Sequence, residues 1–199
     1  MHAILFDIDG TLINTRGAGG AALNSAMADA FGCDQQHRVE MSGRTDRAIV
    51  RDLFQAHGVE NTDANWRKLS EHYLARLPAS LAEKDGFVLP GIPQLLKLLA
   101  PREDVFMGLL TGNTTRGAEL KLSHFGLWEH FSFGGYGDRH HDRDSVAVDA
   151  VKRLREIADI PADRITVIGD TPHDITCARH IGAKAIAVLT GWHPREELV

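Results

Sequence analysis

Residues 1–14 read MHAILFDIDGTLIN, and this stretch decides how the rest of the chain is interpreted. Ala3 to Phe6 form an unbroken apolar run, which is typical of a strand buried on both faces of a parallel sheet. The run ends at Asp7 and Asp9, whose carboxylates project to the same side of an extended chain, and Gly10 then permits a turn. Paired anions after a buried strand are costly unless a cation or a proton offsets them. The stretch therefore predicts a functional site rather than an acidic surface turn.

The composition is that of an ordinary globular protein. The 199 residues are 43% hydrophobic and 25% charged, which suffices for one α/β domain with an insertion or for two small domains. The formal net charge of -5 gives no support for binding to nucleic acid or to an anionic membrane.

Two further features indicate a cytoplasmic protein. Cys33 and Cys177 lie far apart in helical contexts, so reduced thiols are expected rather than a disulfide. The sequence shows neither a basic leader nor an apolar run of about 18 residues. We expect a soluble cytoplasmic protein, and nothing in the sequence indicates its oligomeric state.

Apolar runs and helix-like spacings alternate through most of the chain. This alternation predicts parallel strands, right-handed crossovers and a layer of helices on each face of the sheet. The expected fold class is α/β, a Rossmann-like three-layer sandwich with a five-stranded parallel sheet. The strands are predicted at residues 3–6, 105–110, 131–133, 165–168 and 185–189, with a glycine-rich turn at residues 134–137.

The segment between the first two of these strands has helical spacing and nothing that alternates like a strand. Helices are predicted from Ala21 to Phe31, after Thr45 or Asp46, and after Thr62 or Asp63. We expect a core domain of residues 1–14 and 86–199 and a helical cap domain of residues 15–85. Hinges are expected near residues 15–20 and 85–89.

Polar residues follow three of the predicted strands. Ligands of open parallel sheets lie outside the carboxyl ends of the strands, so these residues are expected to converge. Carboxylates from two neighbouring strand ends suit Mg²⁺, which prefers oxygen ligands and takes few protein carboxylates. The polar residues concerned are Asp7 and Asp9, then Thr111 and Asn113, and finally Asp170 and Asp174.

The string from Asp7 to Thr11 resembles the first motif of the haloacid dehalogenase-like hydrolase superfamily, and Gly169 to Asp174 resembles its last. The resemblance is to the phosphoglycolate phosphatase-like and beta-phosphoglucomutase-like branch with a small helical cap. It implies a Mg²⁺-dependent phosphatase in which Asp7 is nucleophile and metal ligand and Asp170 a second ligand. It implies for Asp9 the role of general acid and base, with its main-chain carbonyl as a further ligand.

The resemblance extends to the second polar string. Thr111 matches the residue that hydrogen-bonds the transferring phosphoryl group, and Gly112 leaves backbone N–H groups free to approach an anion. Asn113 is either a substrate contact or an ordinary turn residue. Asp174 is expected to bind Mg²⁺ or to orient a metal-bound water, a structural role being the alternative.

One motif of the superfamily is missing. A lysine, commonly followed by proline, is expected before the fourth strand to neutralise the nucleophile and the phosphate, and no Lys-Pro occurs here. Arg143 is the candidate for this role, although a planar guanidinium is not equivalent to an ammonium. Arg139 and Lys152 are weaker candidates.

The cap is expected to close over the site and to contact the non-phosphate part of the substrate. We predict that Arg44 or Arg47 binds an anionic or hydroxylated part of a small phosphate ester. The alternative is that both arginines lie at a solvated helix start.

The predicted function is hydrolysis of a small phosphorylated metabolite through an aspartyl-phosphate on Asp7. A phosphomutase would share every catalytic residue named here, and the acceptor of the phosphoryl group would then be a sugar hydroxyl. A phosphate-binding module without turnover is disfavoured by the intact set of polar residues. A haloacid dehalogenase is disfavoured by Asp9, since dehalogenases of the superfamily lack an aspartate at that position.

Overall fold

Five parallel strands form the central sheet of the computed structural model, which describes residues 1–33 and 37–199. Two further short strands pair with each other in antiparallel orientation outside this sheet. In chain order the strands are β1 (His2–Phe6), β2 (Ile13–Asn14), β3 (Phe87–Val88), β4 (Val105–Leu110), β5 (Phe133–Gly135), β6 (Ile165–Gly169) and β7 (Lys184–Ala187). The sheet has the order β5-β4-β1-β6-β7.

Seven α-helices surround the sheet and fill the segment between the two short strands in the described part of the chain. They are α1 (Ala18–Phe31), α2 (Asp46–His57), α3 (Asp63–Glu83), α4 (Ile92–Leu99), α5 (Thr115–His124), α6 (Arg143–Ile157) and α7 (Pro172–His180). Apolar residues of α6 and α7 pack on one face of the sheet. Those of α4 and α5 pack on the other face. The predicted Rossmann-like α/β class is confirmed.

The strand β1 lies at the centre of the sheet, which explains its apolar sequence. It pairs in parallel with β4 on one side and with β6 on the other, and Leu5 and Phe6 are fully buried. The three strands that precede the predicted polar residues are therefore adjacent in the sheet. Because their carboxyl ends meet at one edge, the residues after them come together there.

The helical insertion has an apolar core of its own, built from α1, α2 and α3. The side chains of Thr45 and Thr62 cap α2 and α3 by accepting hydrogen bonds from Ala48 N and Asn65 N. The pair β2–β3 stands where the chain enters and leaves the insertion. We propose to divide the chain there, into a core of residues 1–14 and 86–199 and a cap of residues 15–85.

Two predicted strands are displaced in the structure. The strand β5 occupies Phe133–Gly135, so that residues predicted as a turn belong to the sheet. A Cβ added to Gly135 would lie 2.3 Å from the carbonyl oxygen of Val146, so glycine lets α6 pack closely on this strand. Packing, rather than a turn, accounts for the glycines. The last strand, β7, begins one residue before the predicted range of 185–189 and ends two residues before the end of that range.

No helix within the described ranges is both long enough and apolar enough to cross a membrane. Both cysteines are free thiols, with Cys177 buried beneath the sheet and Cys33 half-buried in the cap. The predicted cytoplasmic location stays a prediction.

Candidate active site

Three buried carboxylates lie together at the carboxyl edge of the sheet. Asp7 follows β1, Asp170 follows β6, and Asp174 lies in the first turn of α7. Their relative exposures are 5%, 3% and 2%, and one carboxylate oxygen of each lies within 4.8 Å of the others. Residues from separate parts of the sequence thus form a single cluster.

Arg143, the first residue of α6, is the cation of this cluster. Its Nη1 donates to Asp7 Oδ1 at 3.2 Å, and its Nη2 donates to Asp174 Oδ1 at 2.5 Å and to the Leu110 carbonyl at 2.9 Å. Its Nε is buried without a hydrogen-bond partner among the described residues, so the guanidinium retains a donor for an anionic ligand. Arg143 lies where the superfamily's lysine is expected, whereas Arg139 lines a separate surface cavity.

The cluster carries more negative than positive charge. Burial raises the pKa of Asp7 well above its ordinary value, an effect that Arg143 opposes and that Asp174 and Asp170 reinforce. Burial, together with the Asp174 charge, also raises the pKa of Asp170 to about 6. When all three carboxylates are ionised, one guanidinium leaves two negative charges without a partner, which a divalent cation would balance. The donor set is all oxygen and therefore suits Mg²⁺.

Asp174 is held more tightly than the other two carboxylates. Its Oδ2 accepts from both the backbone N–H and the hydroxyl of Thr171, at 3.0 and 2.7 Å. Its Oδ1 accepts from Arg143. Asp174 therefore orients the guanidinium toward Asp7, in addition to any contact with a metal ion.

Asp9 faces the cavity and belongs to a second polar group. Its Oδ2 accepts from Lys121 Nζ at 2.6 Å and from Asn113 Nδ2 at 2.9 Å, and Lys121 also donates to Asn113 Oδ1 at 2.7 Å. Burial acts to raise the pKa of Asp9, but the Lys121 charge and these hydrogen bonds outweigh it and place the pKa below its ordinary value. In the free protein Asp9 is therefore ionised.

Lys121 is a site residue that the sequence interpretation missed. It lies on the buried face of α5, three residues after Ala118 and four after Gly117, and its side chain is 6% exposed. That spacing places a lysine on the inward face of a helix whose other inward residues are small or apolar. A lysine in such a position calls for a buried anionic partner, and this signal was available in the sequence.

The loop after β4 contacts both the core and the cap. Thr111 is fully buried, and its Oγ1 accepts from Asn113 Nδ2 at 2.8 Å. A Cβ added to Gly112 would lie 2.0 Å from the Arg44 carbonyl oxygen, so glycine is what allows the cap to approach this loop. Asp46 of the cap donates its backbone N–H to the Gly112 carbonyl at 2.8 Å.

Cap and core also meet through the side chain of Asp46. Its Oδ2 accepts from the backbone N–H of Thr114 at 2.8 Å. Burial raises the pKa of Asp46 to about 6, although Lys121 and the Thr114 hydrogen bond oppose the rise. The cap therefore closes on the core through hydrogen bonds to the loop that carries the predicted phosphate-binding residues.

The two arginines predicted to select the substrate have carboxylate partners within the cap. Arg44 Nη2 donates to Asp52 Oδ2 at 2.7 Å, and Arg44 lines the active-site cavity. Arg47 contacts Asp63 at 3.2 Å and stacks its guanidinium 4.6 Å from the ring centroid of Trp66. Arg47 lines the separate surface cavity, so the structure brings only Arg44 to the site.

Core and cap enclose a cavity of about 510 Å³. Its floor consists of the charged side chains of Asp7, Asp170 and Arg143, while Asp174 holds Arg143 without lining the cavity itself. Its roof consists of apolar side chains contributed by all three cap helices, namely Leu23 of α1, Ile49 and Val50 of α2, and Trp66 and Leu69 of α3.

The segment after β7 completes the wall of the cavity, which the sequence interpretation did not foresee. The Thr190 hydroxyl donates to the Gly10 carbonyl at 2.6 Å. His193 Nε2 lies 3.1 Å from the Ser42 hydroxyl of the cap. Trp192, between them, lines the cavity while remaining 91% exposed.

Comparison with known proteins identifies the family of this chain. A family described as haloacid dehalogenase-like hydrolase matches residues 4–188. A phosphoglycolate phosphatase of Rhodospirillum rubrum is 27% identical over 195 residues, covering 96% of this chain and 80% of the relative. A 5'-nucleotidase of Pseudomonas aeruginosa is 26% identical, covering 98% of this chain and 86% of the relative.

A solved structure supports the fold. It is a mutant of CbbY from Rhodobacter sphaeroides in complex with xylulose-(1,5)bisphosphate. The TM-score is 0.76 at 22% identity, with 99% of this chain and 90% of that chain covered. The family match spans nearly the whole sequence. This chain belongs to the haloacid dehalogenase-like hydrolase family.

Proposed function

We propose that this chain is a Mg²⁺-dependent phosphatase that transfers the phosphoryl group of a small phosphomonoester first to Asp7 and then to water. The coarser prediction, a phosphatase of the haloacid dehalogenase-like family, is confirmed by the family match and the curated phosphatase relatives. The observation that carries the finer proposal is the cluster of Asp7, Asp170 and Asp174 within 4.8 Å, with Arg143 bound to two of the three.

Asp7 acts as the nucleophile in the proposed reaction. Its carboxylate oxygen forms a bond to phosphorus while the bond between phosphorus and the alcohol oxygen breaks, which splits one difficult step into two easier ones. The Arg143 guanidinium, the Thr111 hydroxyl and the backbone N–H of Gly112 hold the phosphoryl oxygens. Their positive charge and hydrogen bonds stabilise the charge that develops on these oxygens in the transition state.

Asp9 moves the protons. In the first step it gives a proton to the leaving alcohol, and in the second it takes one from the water that attacks phosphorus, which returns it to its starting form. Lys121 keeps Asp9 ionised in the free protein, so the protonated form that starts the first step arises when the approaching phosphate dianion raises the pKa of Asp9 and a proton is taken up from solvent. This proton returns to solvent when the products leave.

Mg²⁺ would be held by the carboxylates of Asp7 and Asp170 and by the main-chain carbonyl of Asp9. When bound, it supplies positive charge that offsets the repulsion between a carboxylate and a phosphate dianion. Asp174 would either contribute a further oxygen or keep Arg143 in place, as its two hydrogen-bonded oxygens indicate.

The test is the release of inorganic phosphate from an aryl phosphate, with Mg²⁺ and with excess chelator. We expect activity only with Mg²⁺, and no turnover for Asp7→Asn, which keeps the shape of the side chain and loses the nucleophile. Asp163→Asn is the matched control, because Asp163 is an exposed carboxylate remote from the site. Undiminished turnover by Asp7→Asn, or equal activity in chelator, would overturn the proposal.

A further inference from the structure

The organic part of the substrate must fit between the roof of the cavity and the phosphate site. An apolar cavity of about 150 Å³ holds one benzene molecule, so a cavity of this size has room for roughly 20 non-hydrogen atoms. A phosphorylated two-carbon acid has about nine. The available space therefore exceeds what a minimal phosphate ester would fill.

Every cation that lines the cavity in the described part of the chain already has a carboxylate partner. Lys121 is 2.6 Å from Asp9, and Arg44 is 2.7 Å from Asp52. Arg143 is bound to both Asp7 and Asp174. A second anionic group on the substrate would have to compete with these carboxylates for the same cations, at the greatest cost where the pair is buried, as at Arg143, and at a smaller cost at the partly exposed Arg44–Asp52 pair.

The roof is apolar, and the charged groups that the cap adds to the cavity, Arg44 and Asp46, are already bonded to Asp52 and to the Thr114 N–H. Leu23, Ile49, Val50 and Leu69 are each at most 9% exposed, so they present a closely packed wall. Trp66 adds a flat aromatic surface, supported by the Arg47 guanidinium stacked on its ring. Burial of apolar substrate surface against such a wall is favourable in proportion to its area.

We propose that the substrate is the phosphate ester of an uncharged alcohol that carries a ring or a comparable apolar body, and that Trp66 is the main residue selecting it. This inference rests on the proposed phosphatase function and adds the substrate class. The sequence-based prediction was that Arg44 or Arg47 binds an anionic or hydroxylated part of the substrate, and the proposal departs from its anionic alternative.

Three alkyl phosphates with similar leaving groups test the proposal. Ethyl phosphate is small, 2-phenylethyl phosphate adds a neutral ring, and 2-(4-carboxyphenyl)ethyl phosphate adds a ring with a charge. We expect kcat/KM for the neutral ring ester to exceed the values for both other esters by roughly tenfold or more.

Variants of Trp66 test whether the roof is responsible for the preference for the neutral ring ester. Trp66→Ala is expected to reduce the ratio of kcat/KM for the phenylethyl ester over ethyl phosphate to near one, and Trp66→Phe to retain most of it. Ethyl phosphate serves as the internal control, because a variant that merely folds poorly loses activity toward all three esters in proportion.

The possible failures are distinguishable. A preference for ethyl phosphate or for the carboxylated ester, with Asp7-dependent turnover intact, would overturn the substrate class and leave the phosphatase function standing. A ratio unchanged in Trp66→Ala would remove Trp66 from the proposal. Absence of Asp7-dependent turnover on every ester would instead contradict the proposed function itself.

Discussion

On the core side of the cavity, the three charged side chains of the floor lie almost completely buried and close together, while on the cap side the apolar side chains of the roof come from three helices. We propose that the fixed charges of the floor bind a divalent cation together with a phosphate. We propose that the roof binds the organic part of the substrate through buried apolar area and complementary shape. The comparison indicates that the reaction is set by the core and that the choice of substrate is set by the cap.

The largest effect on the floor, in both stability and turnover, is expected from removing its cation, Arg143. Arg143→Gln leaves three buried carboxylates without a protein cation, and we expect the free energy of unfolding in metal-free buffer to fall by about 3 kcal/mol. Added Mg²⁺ should recover part of this loss, since it neutralises the same carboxylates. The turnover number should fall by roughly 100-fold or more.

Urea unfolding with and without Mg²⁺ measures this effect. Arg155→Gln, an exposed arginine in the last turn of the same helix, is the control and should change stability by less than about 0.5 kcal/mol. Equal losses for the two variants would show that Arg143 does not neutralise the cluster.

The contact between cap and core at Gly112 should be disrupted by adding a single methyl group. In Gly112→Ala the new Cβ meets the Arg44 carbonyl, so the cap must shift away from the core. We expect kcat/KM to fall by roughly 10- to 100-fold while the melting temperature changes little, because the clash lies between the two parts and not within either. Ser123→Ala on the exposed face of α5 is the control, and a wild-type kcat/KM in Gly112→Ala would contradict the closed arrangement.

Lys121 links the two regions through Asp9, and its removal should appear in the pH profile. In Lys121→Met, burial acts on Asp9 without the opposing ammonium, so the pKa of Asp9 rises. Asp9 must be ionised to activate water, so the acid limb of the kcat profile should move to higher pH. Activity near pH 5 should fall by about tenfold, with a smaller loss near pH 8. A purely structural role would lower the whole profile without moving it.

The smallest effect is expected from freeing Arg44, which lines the cavity beside the roof. Asp52→Asn removes the carboxylate that holds Arg44 and should raise kcat/KM for the carboxylated ester a few-fold relative to the neutral ring ester. Asp63→Asn is the matched control, since it frees Arg47, which lines the other cavity. An equal response of the two variants would show that the position of Arg44 in the cavity has no consequence.

Much of the floor was accessible from the sequence, because its residues follow apolar strands and parallel strands bring their carboxyl ends together. Asp7, Thr111 and Asp170 could be placed at one edge of the sheet from this rule alone. The helical insertion followed from spacing and caps. The positions of Asp7, Thr111 and Asp170 are thus given by the structure, whereas their roles in catalysis stay proposals.

The roof and the links to it could not be derived in the same way. The partner of Lys121 depends on how α5 packs beside the loop after β1, which no local pattern encodes. The pairing of Arg44 with Asp52 depends on side-chain direction, so a loop arginine that looked available proves to be occupied. Gly134 and Gly135 were predicted as a turn because packing and turn glycines are identical in sequence.

The central claim is that the phosphoryl group passes through Asp7. Its most direct test is Asp9→Asn with 4-nitrophenyl phosphate, whose leaving group departs without a proton, so that the first step proceeds while hydrolysis of the intermediate slows. We predict a burst of one nitrophenolate per active site and, after acid quench, a phosphoryl group located by mass spectrometry on the peptide containing Asp7. The absence of a burst, or a phosphoryl group on another residue, would contradict the account.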